Sequence, residues 1–312
     1  MTAGSVRVGL SGWTYKSWKA HLYRGIPARA WLQRVAEVFD AVEINGSFYG
    51  QIAPATYARW YQETPATFRF ALKGHRYVTH YKQLRGVSES IARLREQAAP
   101  LADKLGAVLW QLPARSTADL PKLQGFLADL AGWPGVEHVL ELRDRSWFTD
   151  EVAALLAAHG VASCISDAPT FPLWSAVTSE LVYIRLHGHS RLYASSYRRS
   201  ALERWTAAIE RWTSEGRRVE VYFDNDAEGA AVGDALVLCD LLAARGLRPP
   251  RTVEVEHPRA HREAAKAMVY RFGWPARRPS ALVKRTKPAA ARPTRATGPT
   301  GAAAVRRSSR SS

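Results

Sequence analysis

Eight short apolar runs recur between residues 6 and 223, and helical patterns fill the gaps between them. The runs cover 6–10, 41–44, 69–72, 107–111, 138–142, 162–165, 181–186 and 219–223. A parallel crossover needs a dozen or more residues, usually a helix, so strands alternating with helices imply a parallel sheet. Eight such units imply an α/β fold of the (β/α)8 TIM-type barrel class, whose active site lies at the carboxyl ends of the strands. The polar residues that close the strands therefore carry most of the functional information.

Helical spacing supports this order. Trp31, Leu32, Val35, Val38 and Phe39 share one face, as do Ile91, Leu94 and Ala98, then Leu123, Phe126, Leu127 and Leu130, then Leu202, Trp205, Ile209 and Trp212. Asp150 is the expected cap of a helix ending before Gly160, and a last barrel helix spans 230–245. The long insertions at 11–27, 46–56, 168–180 and 188–199 all follow strands, on the face where such barrels build pockets.

The expected organisation is a barrel domain over 1–246, a linker and short helix over 247–275, and a disordered basic tail over 276–312. The net charge is +16, of which +10 lies in 276–312, where ten Lys or Arg meet no acidic residue. That tail is poor in large apolar residues, so it cannot offset its ordering entropy by burial. It suits salt-dependent attraction to polyanions, against the plainer reading of a solvated extension with no partner. No stretch is long and apolar enough to cross a bilayer, and the first residues lack the charged and apolar regions of a secretion signal. Two cysteines in apolar contexts, Cys164 and Cys239, fit a reducing compartment, so the expected location is cytoplasmic.

Strand alternation selects the side chains that point into the mouth. Leucines and isoleucines on one parity must face the helices, which turns Glu43 and Asn45, Arg69 and Lys73, Glu141 and Arg143, and Arg185 and His187 inward. In the last strand the parity does not choose between Tyr222 with Asp224 and Phe223 with Asn225. Such a set is either an internal ion-pair network that fills the barrel end or a functional pocket. Buried ion pairs stabilise poorly, which favours the pocket. The segment 11–18 interleaves Trp13 with small and cationic residues, and Tyr193 and Tyr197 follow His187 and His189. Aromatic faces beside cations suit a base or sugar ring carrying a phosphate. Glu43, Glu141, Asp167, His187, His189 and Asp224 are acceptable metal ligands, yet Lys73, Arg143 and Arg185 would repel a cation. No metal is assigned and no cofactor is identified. A retaining glycosidase needs carboxylates about 5 Å apart, and Glu43 and Glu141 come from strands expected to stand too far apart.

The segments VGLSGWTYKSW, FDAVEINGSFYG, TFRFALKGHRYVTH, LWQLP, ELRDRSWF, YIRLHG and VYFDN occur in this order. Together they resemble the YecE-like family, domain of unknown function 72, over roughly residues 6–246. The resemblance implies a TIM-type barrel and supplies no established reaction. Its polar motif positions fall on Glu43, Asn45, Lys73, Gln111, Glu141, Arg143, Asp167, Arg185, His187, Tyr193, Tyr197 and Asn225. Two positions depart from the family pattern, Asp224 for a common Asn and Leu10 for a common Thr.

The functional expectation is a barrel enzyme acting on a small anionic substrate, a phosphate ester or nucleic-acid fragment. Lys73, Arg143 and Arg185 would hold the anion, His187 would transfer protons, and Glu141 or Asp167 would orient it or act as partner base. Glu43, Asn45, Gln111, Tyr193, Tyr197, Asn225 and Trp13 would line the site. Whether the chain is an enzyme is left open, with a phosphodiesterase-like hydrolase as the class to test. The alternatives are a non-catalytic ligand- or nucleic-acid-binding barrel and a carbohydrate-active hydrolase. Replacing Arg185 is expected to weaken anion binding while sparing the fold.

Overall fold

The computed structural model describes residues 4–226 and 229–255. Strands β1 (Ser5–Ser11), β2 (Ala41–Ile44), β3 (Arg69–Lys73), β4 (Leu105–Gln111), β5 (Glu137–Glu141), β6 (Ala162–Asp167), β7 (Leu181–Leu186) and β8 (Arg218–Phe223) pair in parallel in chain order, and β8 closes on β1. Every expected strand is present, with ends within two residues of those read from the sequence. The surrounding helices are α1 (Trp31–Val38), the single turn α2 (Gly46–Tyr49), α3 (Pro54–Gln62), α4 (Ser88–Ala98), α5 (Leu120–Leu130), α6 (Asp150–Ala158), α7 (Arg199–Ser214) and α8 (Ala230–Ala244). The cap of α6 is Thr149 rather than Asp150: the Thr149 hydroxyl accepts from the Val152 amide at 3.2 Å, and Asp150 opens the first turn.

Side chains alternate across the sheet into two apolar sets. The outward set packs under the helices, with Val8, Leu10, Val42, Ile44, Phe70 and Leu72 meeting Val35, Ile91, Leu94 and Phe126. The inward set is mostly small, with Ala41, Ala71, Ala107 and Ala162 leaving room for Tyr183 and Tyr222, whose rings stack at 4.9 Å. Gly9 belongs to this economy, because a Cβ there would lie 2.5 Å from the Ala41 carbonyl oxygen. Below the tyrosines, Glu220 accepts from Tyr222 at 2.9 Å and pairs with Arg7 at 3.5 Å.

Both cysteines are buried and free, Cys164 inside the barrel and Cys239 in α8. The first part of the expected linker is tied down. Arg248 reaches Asp40 at 3.0 Å, Arg251 reaches Asp240 at 2.9 Å, and Val255 is buried. The helix expected at 258–272 and the basic tail at 276–312 lie outside the described residues. Among the described residues no helix is long and apolar enough to cross a membrane.

Beyond β3 the chain makes one π-helical turn, Tyr77–Tyr81, closed by the Lys82 amide donating to the Tyr77 carbonyl at 2.8 Å. Gln83 and Leu84 follow with φ of 48° and 72°, left-handed values uncommon outside glycine.

Candidate active site at the carboxyl end of the barrel

The inward parity brings the strand ends together around Arg185. Its register partners are Ser166 on β6 and Tyr222 on β8, which settles the open choice in β8: Tyr222 and Asp224 face inward, Phe223 and Asn225 outward. Arg185 is fully buried. Its Nε donates to Glu43 Oε2 at 3.0 Å and its Nη2 to Glu43 Oε1 at 2.6 Å; Nη1 donates to Glu141 Oε2 at 2.8 Å, and Nη2 also reaches Asp224 Oδ2 at 2.9 Å. The same guanidinium lies 3.2 Å from Ser11 Oγ and 3.3 Å from His187 Nε2. Glu43 is completed by the Tyr183 hydroxyl at 2.8 Å and the Ser11 hydroxyl at 2.5 Å, and Ser11 accepts from Asn45 Nδ2 at 2.9 Å. Glu141 is completed by Arg143, whose Nε donates at 2.7 Å, and by Ser166 at 3.3 Å.

Charges follow this geometry. Burial alone would lower the Arg185 pKa, and Glu43, Glu141 and Asp224 outweigh that, so the guanidinium is held more firmly charged than usual. Burial would likewise raise Glu141 and Asp224. Arg143 and Arg185 hold Glu141 well below the carboxylate range, and Arg185 with His187 holds Asp224 at about 2. Asp226 goes the other way, pushed well above the usual range by burial and by the Asp224 charge. Neighbouring carboxyls driven apart in this manner are the pattern of a site that separates proton donor from acceptor.

Arg185, expected to contact an anion, directs its donors to Glu43, Glu141 and Asp224. Glu43 and Glu141, expected to stand too far apart for a glycosidase pair, both bond to this one guanidinium. Lys73 differs from the two arginines. Its ammonium has no ion pair or hydrogen bond among the described residues and lies 4.6 Å from the centre of the Phe48 ring. Burial, followed by the Arg185 charge, lowers its pKa against the pull of Glu43, Glu141 and Asp224.

His187 is buried, with Nδ1 3.0 Å from Asp224 Oδ2. Phe171 and Tyr193 meet its ring edge-on at 5.9 and 5.5 Å, and the Arg143 guanidinium covers Phe171 at 4.1 Å. Tyr193 is exposed and held at φ 60°, its amide donating to the His187 carbonyl at 2.6 Å. Gln111 pairs in register with Glu141 and gives its amide to the Leu112 carbonyl at 3.3 Å.

Four expected site residues do not join this group. Asp167 has the outward parity of β6 and meets Trp205, Tyr197 and His189, its carboxyl raised chiefly by burial. Tyr197 is buried and holds the loop after β7, accepting from the Gly188 amide at 3.2 Å and donating to the Asp167 carbonyl at 3.3 Å. Asn225 donates to Asp234 at 2.6 Å and to the Ser195 carbonyl at 2.9 Å. Trp13 stands edge-on to Trp60 at 4.9 Å and accepts from Tyr23 through its carbonyl. These four shape loops. Ser11, Ser166, Tyr183, Asp226, Phe48 and Phe171 enter the site without having been singled out for it. Among the described residues, no group of three or more His, Cys, Asp or Glu is arranged to hold a metal ion, and the guanidinium fills the space among the carboxylates.

A closed eight-stranded parallel barrel with a charged cluster at its carboxyl end defines a TIM-type barrel. The chain belongs to the family described as "Protein of unknown function DUF72", which matches residues 7–259 and so extends past the expected boundary at 246. It is 30% identical over 144 residues to UPF0759 protein YecE of Escherichia coli K12, a match over 46% of this chain and half the length of that relative. It is 23% identical over 248 residues to UPF0759 protein YunF of Bacillus subtilis, covering 68% of this chain and 86% of that one. Two crystal structures share the fold. A DUF72 family protein of Thermotoga maritima has a TM-score of 0.69 at 25% identity, over 76% of this chain and 99% of that chain. One from Enterococcus faecalis has 0.68 at 21%, over 76% and 95%.

Proposed function

We propose that the carboxyl end of the barrel binds a small anionic substrate, a phosphate ester or nucleic-acid-derived fragment, and carries out acid–base chemistry on it as a hydrolase. The observation that supports this reading is Lys73. Around it Glu43, Glu141 and Asp224 are each paired with an arginine, while its own ammonium pairs with none of them and lies over an aromatic ring. A buried cation in that position is stabilised by an incoming anion, because charge compensation offsets its desolvation. Arg143, at the lip, is the second contact. His187, braced by Asp224, is the proton-transfer group, and Tyr193 must swing aside for substrate to reach it. Glu141 stays ionised beside two arginines and orients rather than donates.

Calorimetric titration of the full chain with inorganic phosphate and phenyl phosphate tests this. Lys73→Met is expected to weaken binding about tenfold or more, the worth of one charge-assisted hydrogen bond. Affinity should fall as pH rises through the lowered Lys73 value, and Lys73→Arg should abolish that fall. Equal affinity in parent and Lys73→Met would refute the reading.

A further inference from the structure

The exposed large apolar side chains of the described residues are four tyrosines. One is Tyr193, over His187. The other three, Tyr49, Tyr77 and Tyr81, gather around the π-helical turn, 64%, 42% and 66% exposed. Cations stand among them: the Arg76 guanidinium lies 6.0 Å from the Tyr49 ring and 5.7 Å from Tyr81, and Lys82 lies 5.9 Å from Tyr77. Residues 75–88 contain no acidic side chain.

The backbone maintains this exposure. A π turn is rarely used, and where it occurs it is frequently functional. Here it is followed by two left-handed residues, and the second, Leu84, is buried and donates its amide to the Val78 carbonyl at 2.9 Å. The turn is thus pinned from beneath while its tyrosines face water. The strip also joins the mouth, since Phe48 touches Tyr49 and His80 and carries the Lys73 ammonium on its face.

Beside the strip is a cavity of about 360 Å³ whose walls include Tyr77, His75, Arg93, Gln97 and one carboxylate, Glu89. That volume lies within the range of about 300–1,000 Å³ seen for small-ligand pockets. Tyr57 lines it as well, fully buried, with a hydroxyl that has no hydrogen-bond partner among the described residues. Buried hydroxyls are costly to leave unpaired, and a polar ligand edge would satisfy this one.

We propose that this face binds single-stranded nucleic acid, with successive bases stacked on Tyr49, Tyr77 and Tyr81, Arg76 and Lys82 on the phosphates, and one base edge meeting Tyr57 in the cavity. Stacking on aromatic rings beside cations is how proteins hold unpaired strands, and it needs bases free of a duplex. The proposal rests on the anionic-substrate reading and narrows it: the anion presented to Lys73 is a phosphate of a polynucleotide strand.

The test is fluorescence anisotropy of the full chain with a labelled oligothymidylate of about twelve nucleotides and with the matching duplex, at about 0.15 M salt. The single strand is expected to bind more tightly than the duplex. Tyr77→Ala with Tyr81→Ala should weaken strand binding at least about tenfold without changing the melting temperature materially, since both side chains are exposed. Tyr57→Phe, which removes one oxygen, should blunt the preference among thymine, adenine and cytosine oligomers. The basic tail is common to all these proteins, so its attraction cancels between variants on the same oligonucleotide, and the strand-against-duplex comparison is repeated with the chain truncated after residue 275. Strand affinity unchanged in the double variant, or a duplex bound as tightly, overturns the proposal; unchanged base preference in Tyr57→Phe removes the cavity from it. Phosphate binding that depends on Lys73 alongside tyrosine-independent strand binding would sink this inference alone.

Discussion

Replacing Arg185 with methionine should cost the fold about 4 kcal/mol near neutral pH, and the loss should shrink in acid. The substitution keeps a long apolar stem and deletes the cation shared by Glu43, Glu141 and Asp224. Asp224 supplies one gauge of the loss. It sits at about 2 against an ordinary 3.8, and at 1.36 kcal/mol per unit that is about 2 kcal/mol. Burial opposes this shift, Arg185 is its principal cause, and His187 supplies part. Glu141 adds a term of the same sign. Removing one partner of a buried pair generally costs about 3–5 kcal/mol, which brackets the figure. Domains of this kind have about 5–15 kcal/mol in hand, so the variant should fold with a small margin.

The pH dependence is the sharper part of this prediction. In the parent, Glu141 and Asp224 have folded values below their unfolded ones, so their stabilisation is present above the unfolded values and is lost as pH falls through the folded ones. In Arg185→Met, Asp224 loses its principal cation while Glu141 keeps Arg143, so buried Asp224 binds its proton more tightly folded than unfolded. Acid then favours the folded state. Urea midpoints for both proteins at about pH 7.5 and about pH 5 would show the gap closing on the acid side. Adding Glu43→Gln to Arg185→Met should recover part of the loss, because one buried charge is gone. A loss under about 1 kcal/mol, or a gap that does not change with pH, would refute the view of Arg185 as an internal counter-ion.

Asp226→Asn should leave the protein progressively better off than the parent as pH rises from about 4.5 to about 8. Asp226 has a folded value raised by burial and by Asp224, so its contribution is complete below the unfolded value and is lost as pH climbs through the folded one. The check is the difference in urea midpoint across that range. Ala102 is exposed and strained at φ 46° and ψ −127°, so Ala102→Gly should raise stability by about 1 kcal/mol, read by thermal melting.

Nearly all of the barrel was legible because its two faces differ in chemistry. Leu181–Leu186 alternates Val182, Ile184 and Leu186 against Tyr183 and Arg185, and only one of those sets can pack under helices. The same logic placed Glu43, Lys73, Glu141, Arg143 and His187 at the mouth. It failed on β6, where Ala162–Asp167 carries Ser163 and Asp167 on one parity and Ser166 on the other. With polar residues on both faces there was no contrast to read, so Asp167 entered the expected site and Ser166 did not. Asn225 and Tyr197 misled for another reason: both bond to Asp234 on α8, a partner nine to thirty-seven residues away that no local pattern reveals. Partner choice was hidden in the same way. Parity shows which charges share a space, whereas the pairing of one guanidinium with three carboxylates depends on reach and on the exact height of each strand.

That pairing constrains the anion site proposed for the mouth. Glu43, Glu141 and Asp224 are balanced by Arg143, Arg185 and Lys73, so the cluster has no surplus positive charge to project into solvent. On the proposed reading, attraction at long range would come from elsewhere, and the segment 276–312, with ten cations and no acid, has the composition for it. At short range selectivity falls to placement, with one ammonium standing free of carboxylates beside two arginines that are already engaged. A polyanion drawn by charge alone would gain little by entering the mouth, while a strand that also stacks on Tyr49, Tyr77 and Tyr81 would be led along Phe48 to Lys73. On the proposed reading, steering and recognition would be separate properties of separate parts of the chain, and the inner ion-pair network would serve the second by holding Asp224 and His187 beneath the bound strand.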